Sequence, residues 1–158
     1  MKLVASENLT QNQNKLIDAA IAILETAYNP YSGYFVGAAV LTRRGALFSA
    51  SNVENVAYGS TICAERMAIG KANSEGARDI IAIAVTGRSN NFEKSEITAG
   101  PCGSCRQVIY EYSQVSGCDT EVILATADKT KIAVTTIEEL LPYPFGPKQL
   151  QVNISRFT

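Results

Sequence analysis

Between Gln11 and Ala27 the apolar residues Leu16, Ile17, Ala20, Ile23, Leu24 and Ala27 recur at helical spacing. That period predicts an amphipathic helix, and Asn29-Pro30 stops it. Tyr34 to Leu41 is apolar throughout and predicts a buried strand. Arg43-Arg44-Gly45 reads as a turn and Ala46 to Ser51 as a returning strand, so the pair predicts a hairpin. A loop over 52–60 leads into a helix over 62–74, with Gly76 suited to its C-terminal end. Ile80 to Val85 (IIAIAV) carries no polar residue and predicts a central strand covered on both faces. A polar loop over 86–100 follows, then a helix over 102–114 opened by Pro101. A strand over 121–126, an edge strand over 131–134 and a short helix over 137–141 complete the pattern. Strands alternating with helices predict a three-layer α/β/α domain with a mixed sheet of about five strands in the middle. No repeat or linker divides the chain, so residues 1–158 read as a single domain.

Charge and residue usage narrow the chemistry. With 14 basic and 15 acidic residues the net charge is −1, and no stretch is rich in Lys and Arg. A nucleic-acid polymer is therefore a disfavoured partner. The N-terminal apolar run is too short for a signal peptide and no 18-residue apolar run follows, which predicts a cytoplasmic protein with no membrane partner. Thiols stay reduced there, so the four cysteines read as metal ligands, nucleophiles or buried apolar groups. The chain has no histidine. Ser-His-Asp and Cys-His catalysis are excluded, and a transition metal must sit on sulfur together with carboxylate or water.

Three segments share one chemical logic. Cys63-Ala64-Glu65 and Pro101-Cys102-Gly103-Ser104-Cys105 each open a predicted helix, and Asn52-Val53-Glu54-Asn55 lies in the loop after the hairpin. Cys102 and Cys105, at i and i+3, share one helix face. Free N–H groups at a helix start favour thiolate. If the two helices pack side by side, Cys63 joins them as a tripod that leaves one position open on Zn²⁺, as a catalytic site requires. Three thiolates on one zinc leave a formal charge of about −1. Arg66 and Arg106 are the candidates to offset it by donating to sulfur. Glu65, two residues past Cys63, can point at the open position, take a proton from zinc-bound water and return it to a leaving group. Asn52 and Glu54 carry hydrogen-bonding groups suited to a sugar.

On these residues the sequence resembles the small homotetrameric zinc-dependent cytidine deaminases, from roughly Leu16 to Leu150. The segments that carry the likeness are PYSGYFVGAAVL (30–41), NVENVAYG (52–59), ICAER (62–66), SEGARD (74–79), PCGSCRQV (101–108) and EELLPYPFGP (138–147). The resemblance implies one zinc per subunit on Cys63, Cys102 and Cys105, with Glu65 as the proton shuttle. It implies that Asn52 and Glu54 bind the ribose 3′-hydroxyl and that the Ala64 backbone contacts the base edge. Phe145 would reach the base from a neighbouring subunit, and Tyr58 would complete a pocket at a subunit boundary. The implied reaction is hydrolysis of free cytidine and 2′-deoxycytidine to uridine and 2′-deoxyuridine plus ammonia. The family usually has Phe where Tyr34 stands against the base. Gly59 and Ser60 also replace larger residues, and the loop over 88–100 is longer than the family's. These departures bear on a rival substrate class: an N4- or C5-modified cytidine, or an aminopyrimidine nucleoside antibiotic.

Blander readings compete. The C-x-x-C pair also suits a redox dithiol, though that leaves Cys63 and Glu65 unexplained. A structural Cys₄ zinc in a non-catalytic interaction module would need Cys118 as fourth ligand; the rival reading of Cys118 is a bystander thiol near the turn at Gly117. Asn52 and Glu54 also suit a turn. Tyr34 also suits the core, Phe145 a packed loop, and the two arginines an exposed surface.

Overall fold

The computed structural model describes residues 1–89 and 99–157. Helix α1 spans Gln11–Ala22 and starts at a capping box: Thr10 Oγ1 accepts from the Gln13 N–H at 3.2 Å, and Gln13 Oε1 accepts from the Thr10 N–H at 2.9 Å. The helix ends earlier than its apolar period suggests. At Ile23 the chain passes into a single 3₁₀ turn, Leu24–Thr26, whose Thr26 hydroxyl donates to the Ile23 carbonyl at 2.8 Å. Strands β2 (Tyr34–Thr42) and β3 (Leu47–Ser51) form the expected hairpin. Helix α2 (Ala64–Ser74) leads to β4 (Ile80–Ser89), and α3 (Gly103–Ser116) to β5 (Glu121–Thr126). Strand β6 (Ile132–Thr136) and helix α4 (Ile137–Leu140) follow.

Among the described residues one six-stranded sheet runs β1-β6-β5-β4-β2-β3, where β1 is the two-residue strand Lys2–Leu3. Only β4 and β5 are parallel, and α3 is their crossover. Two expectations are corrected here. Strand β6 is not the sheet edge: β1, which no sequence pattern announced, pairs outside it, Lys2 with Val134 and Leu3 with Ala133. The segment 86–89 is strand rather than loop, because antiparallel pairing with β2 carries β4 on to Ser89 opposite Tyr34. The rest of the proposed long loop, residues 90–98, lies outside the described residues.

The three layers follow from period-2 alternation in strands buried on both faces. Ala39 and Leu41 of β2, Ala82 and Ala84 of β4, and Ile123 of β5 face α1, which buries Leu16, Ile17 and Ala20 against them. Ala38, Val40, Ile83, Val85, Val122 and Leu124 face the other way, toward Ala64, Ala68 and Ile69 of α2, Ile109 of α3 and Ile137 of α4. Burying each large aliphatic side chain contributes roughly 1.5–3 kcal/mol. Small residues set the spacing on the α1 side. A Cβ on Gly37 would lie 2.0 Å from the Ala20 carbonyl oxygen, so glycine is what allows α1 to rest on β2. No helix among the described residues is long and apolar enough to cross a membrane.

Candidate active site

Both α2 and α3 pack on the same face of the sheet, and their first turns meet. Cys63 is the N-cap of α2 and Cys102 the N-cap of α3, each with extended backbone (φ −69° and −65°). Neither sulfur caps its own helix, so both are free to turn into the gap between the helices. Cys105, one turn into α3, is fully buried. The three sulfurs lie within 4.8 Å of one another, and this is the one such cluster among the described residues. Cys118 is not in it. It follows the end of α3, thirteen residues beyond Cys105, which a helical rise places about 20 Å away. The tripod is therefore as expected, and the four-cysteine alternative lacks its fourth ligand.

The electrostatics of the cluster suit a metal. The Cys105 thiol donates to the Cys63 sulfur and Arg66 adds its charge, together holding Cys63 down to about 5. Cys105 is pushed up, first by that same bond to Cys63 and then by burial. Arg66 NH2 lies 3.8 Å from the Cys63 sulfur and 2.9 Å from the Thr61 carbonyl. Its Nε is buried without a partner among the described residues. Arg106 departs from expectation. Its Nε donates to the Pro101 carbonyl at 2.9 Å and its NH1 to the Leu140 carbonyl at 3.0 Å, so it braces the turn before Cys102 instead of reaching sulfur.

Glu65 lies in the first turn of α2 and is only 4% exposed. Burial is the main cause that lifts its carboxyl above the usual carboxylate range. With Cys63 and Cys102 it lines a cleft of about 390 Å³ that Tyr34, Asn52 and Glu54 also line. Ala64, fully buried, contributes the neighbouring backbone, where a helix start leaves N–H groups without intrahelical partners.

Each remaining candidate has a defined place. Asn52 Oδ1 accepts from the Val36 N–H at 2.8 Å and its Nδ2 donates to the Tyr34 carbonyl at 3.0 Å. Its amide thus ties the end of β3 to β2, and the residue lines the cleft. Glu54 stands at the cleft's outer end, its carboxyl lowered chiefly by a bond from the Ser32 hydroxyl. The Tyr34 ring crosses Gly87, where an added Cβ would sit 2.9 Å from its hydroxyl. Half burial raises the phenol, and the hydroxyl has no partner among the described residues. Tyr58 is exposed and lies outside this cleft, edge-on to Tyr31 at 6.1 Å, beside a second hollow that shares Ser32, Glu54 and Thr61. Phe145 is exposed and does not line the cleft, its carbonyl held by Gln107 Nε2 at 2.6 Å. Sequence reasoning passed over Ser32 and Thr61. Ser32 lies in the quoted segment 30–41, but a loop serine carries no period, and only contact with Glu54 marks it.

The arrangement can hold one thiolate-preferring cation, with a buried carboxylate and the polar groups of Asn52 and Glu54 lining the same cleft. Known proteins agree. Residues 10–118 match the family model described as the cytidine and deoxycytidylate deaminase zinc-binding region. The chain is 42% identical over 139 residues to a cytidine deaminase of Halalkalibacterium halodurans, covering 88% of this chain and 98% of that one. It is 32% identical over 140 residues to a blasticidin-S deaminase of Bacillus cereus, covering 87% of this chain and 95% of the other. Its fold superposes on the crystal structure of a cytidine deaminase from Burkholderia pseudomallei with a TM-score of 0.72 at 38% identity, covering 87% of this chain and all of that one.

Proposed function

The chain belongs to the cytidine and deoxycytidylate deaminase family, and from that premise we propose that it hydrolyses free cytidine and 2′-deoxycytidine to uridine and 2′-deoxyuridine, releasing ammonia. One observation carries the reading: three sulfurs within 4.8 Å of one another share a cleft with a buried Glu65. A donor set of three thiols with no imidazole, and with no fourth protein ligand among the described residues, suits zinc with an open position.

Zinc held by Cys63, Cys102 and Cys105 supplies the acidity that makes water a nucleophile near neutral pH. The protein's own part is proton movement and orientation. Glu65 accepts the proton of the attacking water and delivers it to N3 of the pyrimidine, so that C4 becomes electrophilic as oxygen adds to it. The same carboxyl then takes the second proton of that oxygen to the exocyclic nitrogen, the C4–N bond breaks, and ammonia leaves. Burial of Glu65 suits this exchange, because it narrows the gap between holding a proton and releasing one. The Ala64 N–H faces the base edge. Asn52 and Glu54 hold the sugar through its 3′-hydroxyl, and Tyr34 lies against the base. Arg66 offsets the negative charge of the sulfurs.

The functional unit is a homotetramer in the cytoplasm, with one zinc per subunit. Tyr58 and Phe145 are exposed on the single chain and have no role in its own cleft, which is what residues completing a neighbour's pocket require. A second reading is favoured by the likeness to a blasticidin-S deaminase and by Tyr34, whose hydroxyl has no partner among the described residues. In it the substrate is an N4- or C5-modified cytidine or a related nucleoside antibiotic.

An absorbance assay decides between the two. Cytidine, deoxycytidine, and N4- and C5-substituted analogues are compared with and without a chelator. Chelator-sensitive turnover of the two plain nucleosides supports the first reading; turnover confined to modified bases supports the second. Bound zinc with no ammonia released from any cytosine nucleoside would end both.

A further inference from the structure

The Glu54 carboxylate is held by three donors, all from one dipeptide. The Tyr31 N–H reaches Oε2 at 2.9 Å and the Ser32 N–H reaches the same oxygen at 3.2 Å. The Ser32 hydroxyl reaches Oε1 at 2.5 Å. A carboxylate only accepts, so the hydroxyl proton points at Glu54. The Ser32 oxygen in turn accepts the Tyr34 N–H at 3.0 Å, which anchors it to the first residue of β2. Lone-pair capacity then decides what is left. Oε2 already accepts two bonds and Oε1 accepts one, so Oε1 keeps a single acceptor site.

The backbone around this clamp is tied to the metal-binding end of the cleft. Glu54 N–H donates to the Tyr28 carbonyl at 2.7 Å, and Tyr28 N–H donates to the Asn52 carbonyl at 3.1 Å. On the other side Val53 and Ile62 exchange two bonds, at 3.0 and 2.9 Å, one residue before Cys63. The loop bearing Ser32, the loop bearing Glu54 and the approach to α2 therefore form one hydrogen-bonded patch. Glu54 is presented at a set distance from the sulfur cluster, in a rotamer chosen before any ligand arrives.

We infer that Ser32 is a positioning residue that locks Glu54 with one acceptor site free, so that the cleft selects a sugar presenting a hydroxyl donor there. A hydrogen at that position leaves the acceptor unsatisfied, and an ester of phosphate brings an anion against a carboxylate that three donors keep ionised. The inference rests on the proposed role of Glu54 as acceptor for the sugar 3′-hydroxyl, and it adds the group that sets the strength of that contact.

The test is a kinetic cycle with wild type, Ser32→Ala and Ser32→Thr on cytidine and 3′-deoxycytidine. Wild type should prefer cytidine by roughly ten- to a hundred-fold in kcat/KM, the usual discrimination for a hydrogen bond to a charged acceptor. In Ser32→Ala that preference should shrink about ten-fold, with KM for cytidine rising more than kcat falls. Ser32→Thr, which keeps the hydroxyl, should restore most of it. An undiminished preference in a folded Ser32→Ala enzyme, or an equal loss on both substrates, would overturn the inference while leaving the role of Glu54 intact. If Ser32→Ala does not fold, a Ser32→Thr enzyme without the wild-type preference overturns it as well. A wild-type enzyme indifferent to the 3′-hydroxyl removes the Glu54 assignment itself, and the inference with it.

Discussion

Arg66 donates to the sulfur of Cys63 across 3.8 Å from one turn further along the same helix, while the same nitrogen holds the Thr61 carbonyl at 2.9 Å. The pair answers an electrostatic problem posed by the ligand set. Three thiolates over-neutralise Zn²⁺, and a cation at sulfur withdraws part of that excess.

Replacing Arg66 should therefore weaken the metal site without dismantling it. Arg66→Met is expected to lower zinc affinity about 10- to 100-fold and turnover with it, read by competition against a calibrated chelator. Arg106→Met should behave differently, because its guanidinium braces the Pro101 and Leu140 carbonyls and not the sulfurs. Its main effect should be a lower thermal midpoint. Equal loss of zinc in the two variants would refute the distinction.

The proposed role of Glu65 is to move protons and not to bind metal. A Glu65→Gln protein should fold, hold one zinc per subunit and lose at least about 10²- to 10⁴-fold in kcat. Metal analysis beside the ammonia-release rate checks both halves. Near-normal turnover would remove Glu65 from the mechanism.

The sulfur cluster separates the cysteines by role. Cys102→Ser should lose most of its zinc and all measurable deamination, whereas Cys118→Ser, beyond the far end of α3, should retain both. Zinc content by atomic absorption is the readout, and zinc loss in the Cys118 variant would revive a four-cysteine site.

Packing between α1 and β2 offers a test away from the chemistry. A methyl on Gly37 would stand 2.0 Å from the Ala20 oxygen, a backbone atom with little freedom to retreat. Gly37→Ala should cost about 3 kcal/mol and lower the thermal midpoint by roughly 6–12 °C at fixed protein concentration. An unchanged midpoint would mean that α1 slides freely on the sheet.

Much of this protein was legible in its sequence because the signals are local. The 3.6-residue period marked α1, and the unbroken apolar run at 80–85 marked a strand covered on both sides. The pairing of cysteines with helix starts pointed to a metal. The absence of histidine removed whole classes of catalysis before any fold was known. Local signals also misled in proportion to their reach. The period carried α1 past Ala22, although a 3₁₀ turn intervenes. The apolar run of β4 ends at Val85, although pairing with β2 extends the strand over four polar or small residues. A two-residue strand at the N-terminus left no pattern at all.

What depended on tertiary structure was every relation between segments distant along the chain. That Cys63 meets Cys102 and Cys105 and that Arg66 and not Arg106 reaches sulfur are outcomes of two helices docking on one face of a sheet, and that Ser32 clamps Glu54 is an outcome of the β2–β3 pairing that brings their loops together. Residue type and spacing specify which groups can serve. The hydrogen-bond geometry of a folded backbone decides which do, because a contact a few ångströms long is set by packing between elements that the sequence places tens of residues apart.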